Sequence, residues 1–154
     1  MEWIHDGKPF DPTPKELDPK KVYGFVYLIE NLVPDSPTKF YVGKKLFWFK
    51  GHKSVKLKNG KKKRQKCLVE SDWREYYGSN KKLQEAVKLH GEENFRRTIL
   101  HLCANKGTCS YLELKEQIDR NAIVDTSYYN DQIRARIHRS HLASLRHDTN
   151  RSNL

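Results

Sequence analysis

The stretch that decides the fold is Val22-Tyr-Gly-Phe-Val-Tyr-Leu-Ile29, followed after a proline-containing loop by Phe40-Tyr-Val-Gly43. Both segments are rich in β-branched and aromatic residues, a composition that predicts two strands joined by a long connection. Side chains alternate between the two faces of a strand. The alternation predicts that Tyr27 and Tyr41 share one face and that their aliphatic neighbours share the other.

The residues on either side of these strands differ from them in composition. Residues 1–21 contain Pro9, Pro12, Pro14 and Pro19, which predict an irregular lead-in. Residues 46–70 form an insertion that contains Asn59-Gly60, a pair favoured in tight hairpin turns. Between Lys53 and Lys66 the insertion carries eight basic residues and no acidic one. These candidates for DNA contact are Lys53, Lys56, Lys58, Lys61, Lys62, Lys63, Arg64 and Lys66. A run of this kind is often only a solvated face, but its place directly after the second strand favours a DNA-contacting role.

Three further elements are predicted downstream. Residues 80–90 have apolar residues at helical spacing and end at Gly91, residues 95–102 have the composition of a strand, and residues 111–124 form a second helix. A last helix is predicted over residues 131–146. Its arginines would extend the DNA-binding surface, and they include Arg134, Arg136 and Arg139. The order predicts an α+β fold: a small three-stranded antiparallel sheet flanked by helices, with a central domain over residues 22–131 and a basic C-terminal arm over residues 132–154.

Composition restricts the class of partner. The formal net charge is +11 over 154 residues, which favours a polyanion such as nucleic acid. No apolar run is long enough to span a bilayer, and the first residues lack the apolar stretch of a signal peptide. The three cysteines have no CxxC spacing, so neither a disulfide framework nor a zinc site is expected. We therefore expect no membrane association and a reducing cytoplasm.

The order of several motifs resembles the GIY-YIG nuclease family. Phe25-Val-Tyr27 and Phe40-Tyr-Val-Gly-Lys-Lys45 are similar to its two hallmark strands, although only the tyrosine of the first motif is retained. Gly78-Ser-Asn-Lys-Lys-Leu-Gln84, Tyr111-Leu-Glu113 and Tyr129-Asn130 then follow in the family's order, and the resemblance covers residues 22–131. The segment Asp72-Trp-Arg-Glu-Tyr-Tyr-Gly-Ser79 is similar to small phage-encoded members, including free-standing homing endonucleases.

The resemblance implies a mechanism of phosphodiester hydrolysis. Glu113 would hold one Mg²⁺, for which Mn²⁺ can substitute, and most of the metal's ligands would be water. Tyr27 would activate the attacking water, with its pKa lowered by nearby lysines or metal, and Tyr41 would orient the water or the phosphate. Asn130 would brace the site or contact DNA, and a simple turn residue is an equal alternative.

Two site assignments stay open at the level of sequence. Ser110 and Glu113 fit a capping box at a helix start, and Glu116 is a rival metal ligand that could instead pair with Arg120 one helical turn later. The arginine that the family usually carries after its second strand has no clear equivalent here. The candidates to hold the scissile phosphate are Lys44, Lys45 and Arg74.

The expected function is a metal-dependent endonuclease that acts on double-stranded DNA, of a homing type or with a site preference. The alternatives are a structure-specific or restriction-like nuclease and a non-catalytic DNA-binding module on the same scaffold. One such active site cuts one strand, so the protein would act as a monomer or as a transient dimer on DNA. A phage-encoded enzyme of this kind would work in the cytoplasm of a bacterial host cell.

Overall fold

The two hallmark strands lie side by side at one edge of a five-stranded sheet in the computed structural model, which describes residues 1–145. The strands are β1 (Trp3–His5), β2 (Lys8–Pro9), β3 (Gly24–Asn31), β4 (Lys39–Leu46), β5 (Trp48–Lys56), β6 (Lys62–Glu70) and β7 (Phe95–Cys103). The helices are α1 (Lys81–His90), α2 (Lys106–Asp119) and the short 3₁₀ helices Trp73–Glu75, Glu92–Asn94 and Arg139–Leu142.

The strand order in the main sheet is β2-β1-β7-β3-β4, and β5 and β6 form a separate hairpin. The sheet therefore has five strands, and the prediction of three was wrong. The mixed α/β character of the fold was predicted correctly. The two extra strands come from the predicted irregular lead-in: β1 runs parallel to β7 and antiparallel to β2. The side chain of Trp3 is buried, and its indole Nε1 donates to the carbonyl of Trp73 at 2.8 Å, which ties this segment to the core.

Both faces of the main sheet are covered. Phe25, Tyr27 and Ile29 of β3 pack in a cluster with Trp3, Trp73 and Leu83 of α1. Their alternate neighbours Val26 and Leu28 pack on the other face with Val42, Cys109 and Leu112 of α2. The alternation predicted from sequence is thus confirmed. Because both faces of β3 are buried, its sequence is a continuous apolar run and does not alternate between apolar and polar residues.

The helix boundaries confirm one prediction and correct two. Helix α1 begins after Asn80, whose side chain accepts from the Leu83 amide at 3.1 Å, and it ends at Gly91 with a φ of 85°. Helix α2 begins before its predicted start, because the Asn105 side chain caps the Thr108 amide at 2.8 Å. Residues 131–138 have no regular structure, so the helix predicted over residues 131–146 was wrong there. Its last residue, and the end of the predicted arm, lie outside the described residues.

The outer edge of β4 is lined by the segment just before residue 131. The Phe40 amide donates to the Ser127 carbonyl at 2.9 Å, and the Tyr129 amide donates to the Phe40 carbonyl at 2.8 Å. This pairing covers the edge of the sheet around Phe40, and at the far end of β4 Ser71 Oγ donates to the Leu46 carbonyl at 2.7 Å. Within residues 1–145 no helix has the length and apolar character required to cross a bilayer.

Candidate active site

A polar cleft of about 220 Å³ lies where β4 meets α2 and the C-terminal segment. Four predicted catalytic residues line it: Tyr41 and Lys44 of β4, Glu113 of α2, and Asn130 of the C-terminal segment. Arg134, a predicted DNA contact, lines it too, and the other lining residues are Ser79, Asn80, Gln117, Asp131 and Gln132. The fold thus brings together side chains that lie far apart in the sequence.

Tyr27 and Tyr41 lie on the same face of the sheet, with ring centroids 6.2 Å apart. Gly43 makes this packing possible, because a Cβ atom there would lie 2.5 Å from the Tyr27 hydroxyl oxygen and 2.9 Å from Cε1 of Tyr41. The two tyrosines differ in access: Tyr27 is only 1% exposed, whereas Tyr41 lines the cleft and its hydroxyl is 3.2 Å from Ser79 Oγ. Tyr41 is therefore the tyrosine that reaches the cleft.

Burial raises the pKa of Tyr27 well above its ordinary value, and the neighbouring phenols of Tyr76 and Tyr41 raise it further. Burial also raises the pKa of Tyr41. The expectation that nearby lysines lower the pKa of Tyr27 is wrong for the protein alone. The physical reason is that Lys44 lies on the other face of β4, while Lys45 binds Asp72 at 2.6 Å and lies over the Tyr76 ring. Sequence reasoning missed Tyr76, which nothing in the local pattern distinguishes from its neighbours.

Glu113 and Glu116 lie on the same helix and have different partners. Glu113 accepts from Lys44 Nζ at 2.7 Å and lines the cleft. Glu116 binds Arg120 Nε at 2.8 Å, as predicted, and also His101 Nε2 at 2.7 Å. These two bonds lower the pKa of Glu116 against the effect of its burial.

A β-bulge explains why Glu116 is held away from the cleft. In the pairing of β3 with β7, Val26 lies opposite His101 but Tyr27 lies opposite Ile99, so Leu100 has no partner. Consequently Leu100 and His101 both face α2: Leu100 packs in the cluster on that side, and His101 binds Glu116.

The capping alternative for Glu113 is wrong. Since Asn105 caps α2, Ser110 lies inside the helix and its hydroxyl donates to the Lys106 carbonyl at 3.1 Å. Glu113 therefore does not cap a free backbone amide in the first turn of α2. Gln117, one turn after Glu113, also lines the cleft, and helical spacing from Glu113 could have identified it.

The three candidates for the phosphate-holding cation lie in three different places. Lys44 lines the cleft, whereas Lys45 is held by Asp72 outside it. Arg74 lies in a different depression, where its guanidinium contacts Asp11 and donates to the Pro12 carbonyl at 2.9 Å. The cleft does contain an arginine, but it is Arg134 of the C-terminal segment.

Asn130 holds the edge strand. Its Oδ1 accepts from the Val42 amide at 2.9 Å, and its Nδ2 donates to the Val42 carbonyl at 2.7 Å. One side chain therefore provides both hydrogen bonds that a neighbouring strand would provide. Asn130 is 8% exposed, so it braces the strand that carries Tyr41 and Lys44.

The remaining predicted DNA contacts lie away from the cleft. The basic residues of the insertion are exposed on the β5–β6 hairpin, whose turn has Gly60 at a φ of 80°, as the Asn-Gly pair predicts. Arg136 lines a separate depression at the start of α2, next to the 3₁₀ helix that contains Arg139. This part of the C-terminal arm is packed against the protein, since Thr108 Oγ1 donates to the His141 carbonyl at 3.0 Å.

The donors in the cleft suit a hard cation. Glu113 and Asp131 supply carboxylates and Gln117 an amide, and Mg²⁺ commonly takes one or two carboxylates with several waters. Within residues 1–145, no group of three or more His, Cys, Asp or Glu side chains is arranged to hold a metal ion. A cation at Glu113 would displace the Lys44 ammonium.

Comparisons with known proteins agree with the motif order. A family model described as "Putative endonuclease segE, GIY-YIG domain" matches residues 3–133. The chain is 35% identical over 109 residues to "Putative endonuclease segE" of Enterobacteria phage T4. That alignment covers 71% of this chain and 40% of the phage protein, so the chain spans less than half of its relative. No solved structure matches the chain.

Proposed function

This chain belongs to the GIY-YIG family of segE-type endonucleases, and from that membership we propose that it is a metal-dependent endonuclease that hydrolyses phosphodiester bonds in double-stranded DNA. The observation that carries the proposal is the convergence of Tyr41, Lys44 and Glu113 on one open, polar cleft. A net charge of +11 supports a polyanionic substrate.

Glu113 is the proposed metal ligand, with Asp131 and Gln117 close enough to share the cleft. When bound there, Mg²⁺, or Mn²⁺ in its place, would stabilise negative charge that develops on the phosphate and the leaving oxygen. Glu116 is the weaker candidate because His101 and Arg120 already neutralise its carboxylate.

The cations of the cleft have a proposed role in binding the scissile phosphate. Lys44 loses its carboxylate partner when Glu113 takes a metal, and its ammonium is then available to the phosphate. Arg134 lines the same cleft and can offer a planar, bidentate donor pair in place of the family's missing arginine. Lys45 and Arg74 have no part in this proposal, since acidic side chains hold them outside the cleft.

The tyrosines have unequal roles in the proposed chemistry. Tyr41 contacts the phosphate or the attacking water, because its hydroxyl reaches the cleft. Tyr27 is neutral in the protein alone, since its burial raises its pKa. A base role for Tyr27 requires positive charge that arrives with DNA or metal, and it stays a prediction. Asn130 positions both cleft residues of β4 through the backbone of Val42.

A nicking assay on supercoiled plasmid with Mg²⁺ tests the proposal, and Glu113→Gln and Glu116→Gln form a matched pair. We expect Glu113→Gln to lower the nicking rate by at least about 100-fold, as the loss of one charge-stabilising group does. It should also abolish Mn²⁺ binding in a calorimetric titration. Glu116→Gln should retain both properties.

The reverse pattern would assign the metal to Glu116. A wild-type protein that binds DNA but never nicks it would overturn the enzyme proposal in favour of a DNA-binding module. End mapping on a random-sequence DNA library would test the homing-type or site-preferring role, because a structure-specific nuclease would yield cuts at junctions or flaps rather than at a sequence.

A further inference from the structure

The β5–β6 hairpin extends from the end of β4 with little cover from the rest of the protein. Strand β5 begins two residues after β4 ends, and most residues of both hairpin strands are exposed. Phe49 near the base of the hairpin is 51% exposed. Each strand has nine residues, so the hairpin is about 30 Å long at roughly 3.3 Å per residue.

The pairing register sorts the basic side chains of the hairpin by face. Lys56 pairs with Lys62, His52 with Lys66, and Ser54 with Arg64. Directly paired residues share a face, as do residues two apart on one strand. One face therefore carries five cations in two rows beyond Trp48, Leu68 and Glu70 at its base. We name it the basic face, and its cations are Lys50, Lys56, Lys62, Arg64 and Lys66.

The opposite face is different. It carries Phe49, Val55, Cys67 and Val69 together with two cations, Lys53 and Lys63. Gly51 belongs to the same face, where a Cβ atom would lie 2.6 Å from Cγ2 of Val69. The insertion is thus not a uniformly charged loop. The DNA contacts predicted for it divide between the two faces of the hairpin and its turn, which contains Lys58 and Lys61.

Acidic side chains do not neutralise the cations of the basic face within residues 1–145. None of the five takes part in an ion pair, and Arg64 contacts the ring of His52 at 3.4 Å. Glu70, at the base of the same face, binds Trp73 Nε1 and Arg74 instead. Like charges directly opposite each other, such as Lys56 and Lys62, destabilise a strand pair. A polyanion bound to this face would remove that repulsion.

We propose that the basic face lies against duplex DNA beyond the cleavage position, whereas the face with Phe49 points away from the DNA. This inference rests on the proposed DNA substrate. The major groove admits a two-stranded β-ribbon, and a hairpin of this length spans about nine base pairs at 3.4 Å per pair. Because the hairpin continues from β4, DNA held by the basic face is tied to the strand that carries Tyr41 and Lys44.

Two double variants that remove the same charge from opposite faces test this inference. Arg64→Ser/Lys66→Ser removes two cations from the basic face, and Lys53→Ser/Lys63→Ser removes two from the other face at a similar distance from the base. Binding to a duplex of about 30 base pairs, in EDTA to prevent cleavage, is measured by fluorescence anisotropy between about 50 and 200 mM salt.

We expect the slope of log K against log salt to fall by about 1.8 in the basic-face variant, which corresponds to roughly 60-fold weaker binding at about 0.1 M salt. The slope of the opposite-face variant should stay within about 0.5 of the wild type. The charge-conserving variant Arg64→Lys/Lys66→Arg should keep the wild-type slope, which excludes misfolding of the hairpin as the cause.

Equal slope changes in the two serine variants, or no change in either, would overturn the inference. These outcomes are independent of the enzyme proposal. If the wild-type protein nicks plasmid and the two serine variants bind DNA alike, only the proposed role of the basic face is refuted. If the slopes are as expected but the protein does not nick plasmid, only the nuclease proposal is refuted.

Discussion

Replacement of Asn130 by alanine should destabilise the protein, because it removes the hydrogen bonds that hold the edge strand β4. Asn130 makes two hydrogen bonds to the backbone of Val42 from a position that is 8% exposed. Alanine removes both bonds and leaves the Val42 amide without a protein partner. The Val42 carbonyl keeps a weak contact with Gln117 Nε2 at 3.4 Å.

The size of the effect follows from these partners. An unsatisfied buried amide costs about 1–3 kcal/mol, and the lost bond to the carbonyl contributes about 0.5–1.5 kcal/mol. The expected loss in the free energy of unfolding is therefore about 1.5–4.5 kcal/mol. This is a large share of the roughly 5–15 kcal/mol that stabilises a typical domain.

Urea unfolding of wild type and variant measures this loss. The midpoint should fall by about 0.8–2.2 M with an unchanged slope, for a slope of about 2 kcal/mol per M, the middle of the range for small proteins. Asn94→Ala is the matched control, because the Asn94 side chain also donates to a backbone carbonyl, that of His90 at 2.7 Å, but at an exposed place. Its loss should not exceed about 0.5 kcal/mol.

A loss below about 1 kcal/mol for Asn130→Ala would refute the reasoning, because an unsatisfied amide alone costs at least that much. Such a result would mean that water replaces the side chain at Val42 without penalty. The nicking rate is the second measurement: if Asn130 positions β4, the variant should nick more slowly even under conditions in which it is fully folded.

Other predictions follow from the packing and charges of the site. Gly43→Ala should lower the free energy of unfolding by about 1–3 kcal/mol, because the new Cβ atom would meet the Tyr27 hydroxyl. The same substitution should cost less in a Tyr27→Phe background, and a double-mutant cycle measures the difference. Because burial raises the pKa of Tyr27, this phenol favours the folded state below about pH 10, and the contribution is lost as the pH rises further. Above about pH 10, the unfolding midpoint should therefore fall more steeply with pH in wild type than in Tyr27→Phe. An equal fall in both would contradict the burial of this phenol. Arg134→Ser should slow nicking and leave the unfolding midpoint unchanged, whereas Arg74→Ser should lower the midpoint and leave nicking unchanged. The opposite pattern would return the phosphate-holding role to Arg74.

Several features of the fold could be predicted because they depend on short stretches of chain. The alternation in β3 and β4 put Tyr27 and Tyr41 on one face, and the structure confirms it. Asn80 and Gly91 mark the ends of α1 through their own backbone and side-chain bonds. In each case the deciding interactions join residues that are only a few positions apart.

The predictions that failed depended on partners far away in the sequence. Nothing in residues 1–9 signals a strand that pairs in parallel with β7, because that pairing is stabilised by the burial of Trp3 among residues of the core. The start of α2 was misplaced because Ser110 has the same local pattern as a true cap, and only the bond from Thr108 to Asn105 reveals the earlier start.

The amino-acid sequence by itself determined the family, the hallmark strands and the identity of the tyrosines and carboxylates. Only the tertiary structure decided that Glu113 faces the cleft while Glu116 is bound elsewhere and that the hairpin has one basic face. It also decided that Lys44 and Arg134, rather than Lys45 and Arg74, line the cleft. The physical reason is distance along the chain. Local sterics and side-chain alternation set which elements form, whereas the destination of a charged side chain depends on which acidic and backbone groups the whole fold brings within reach.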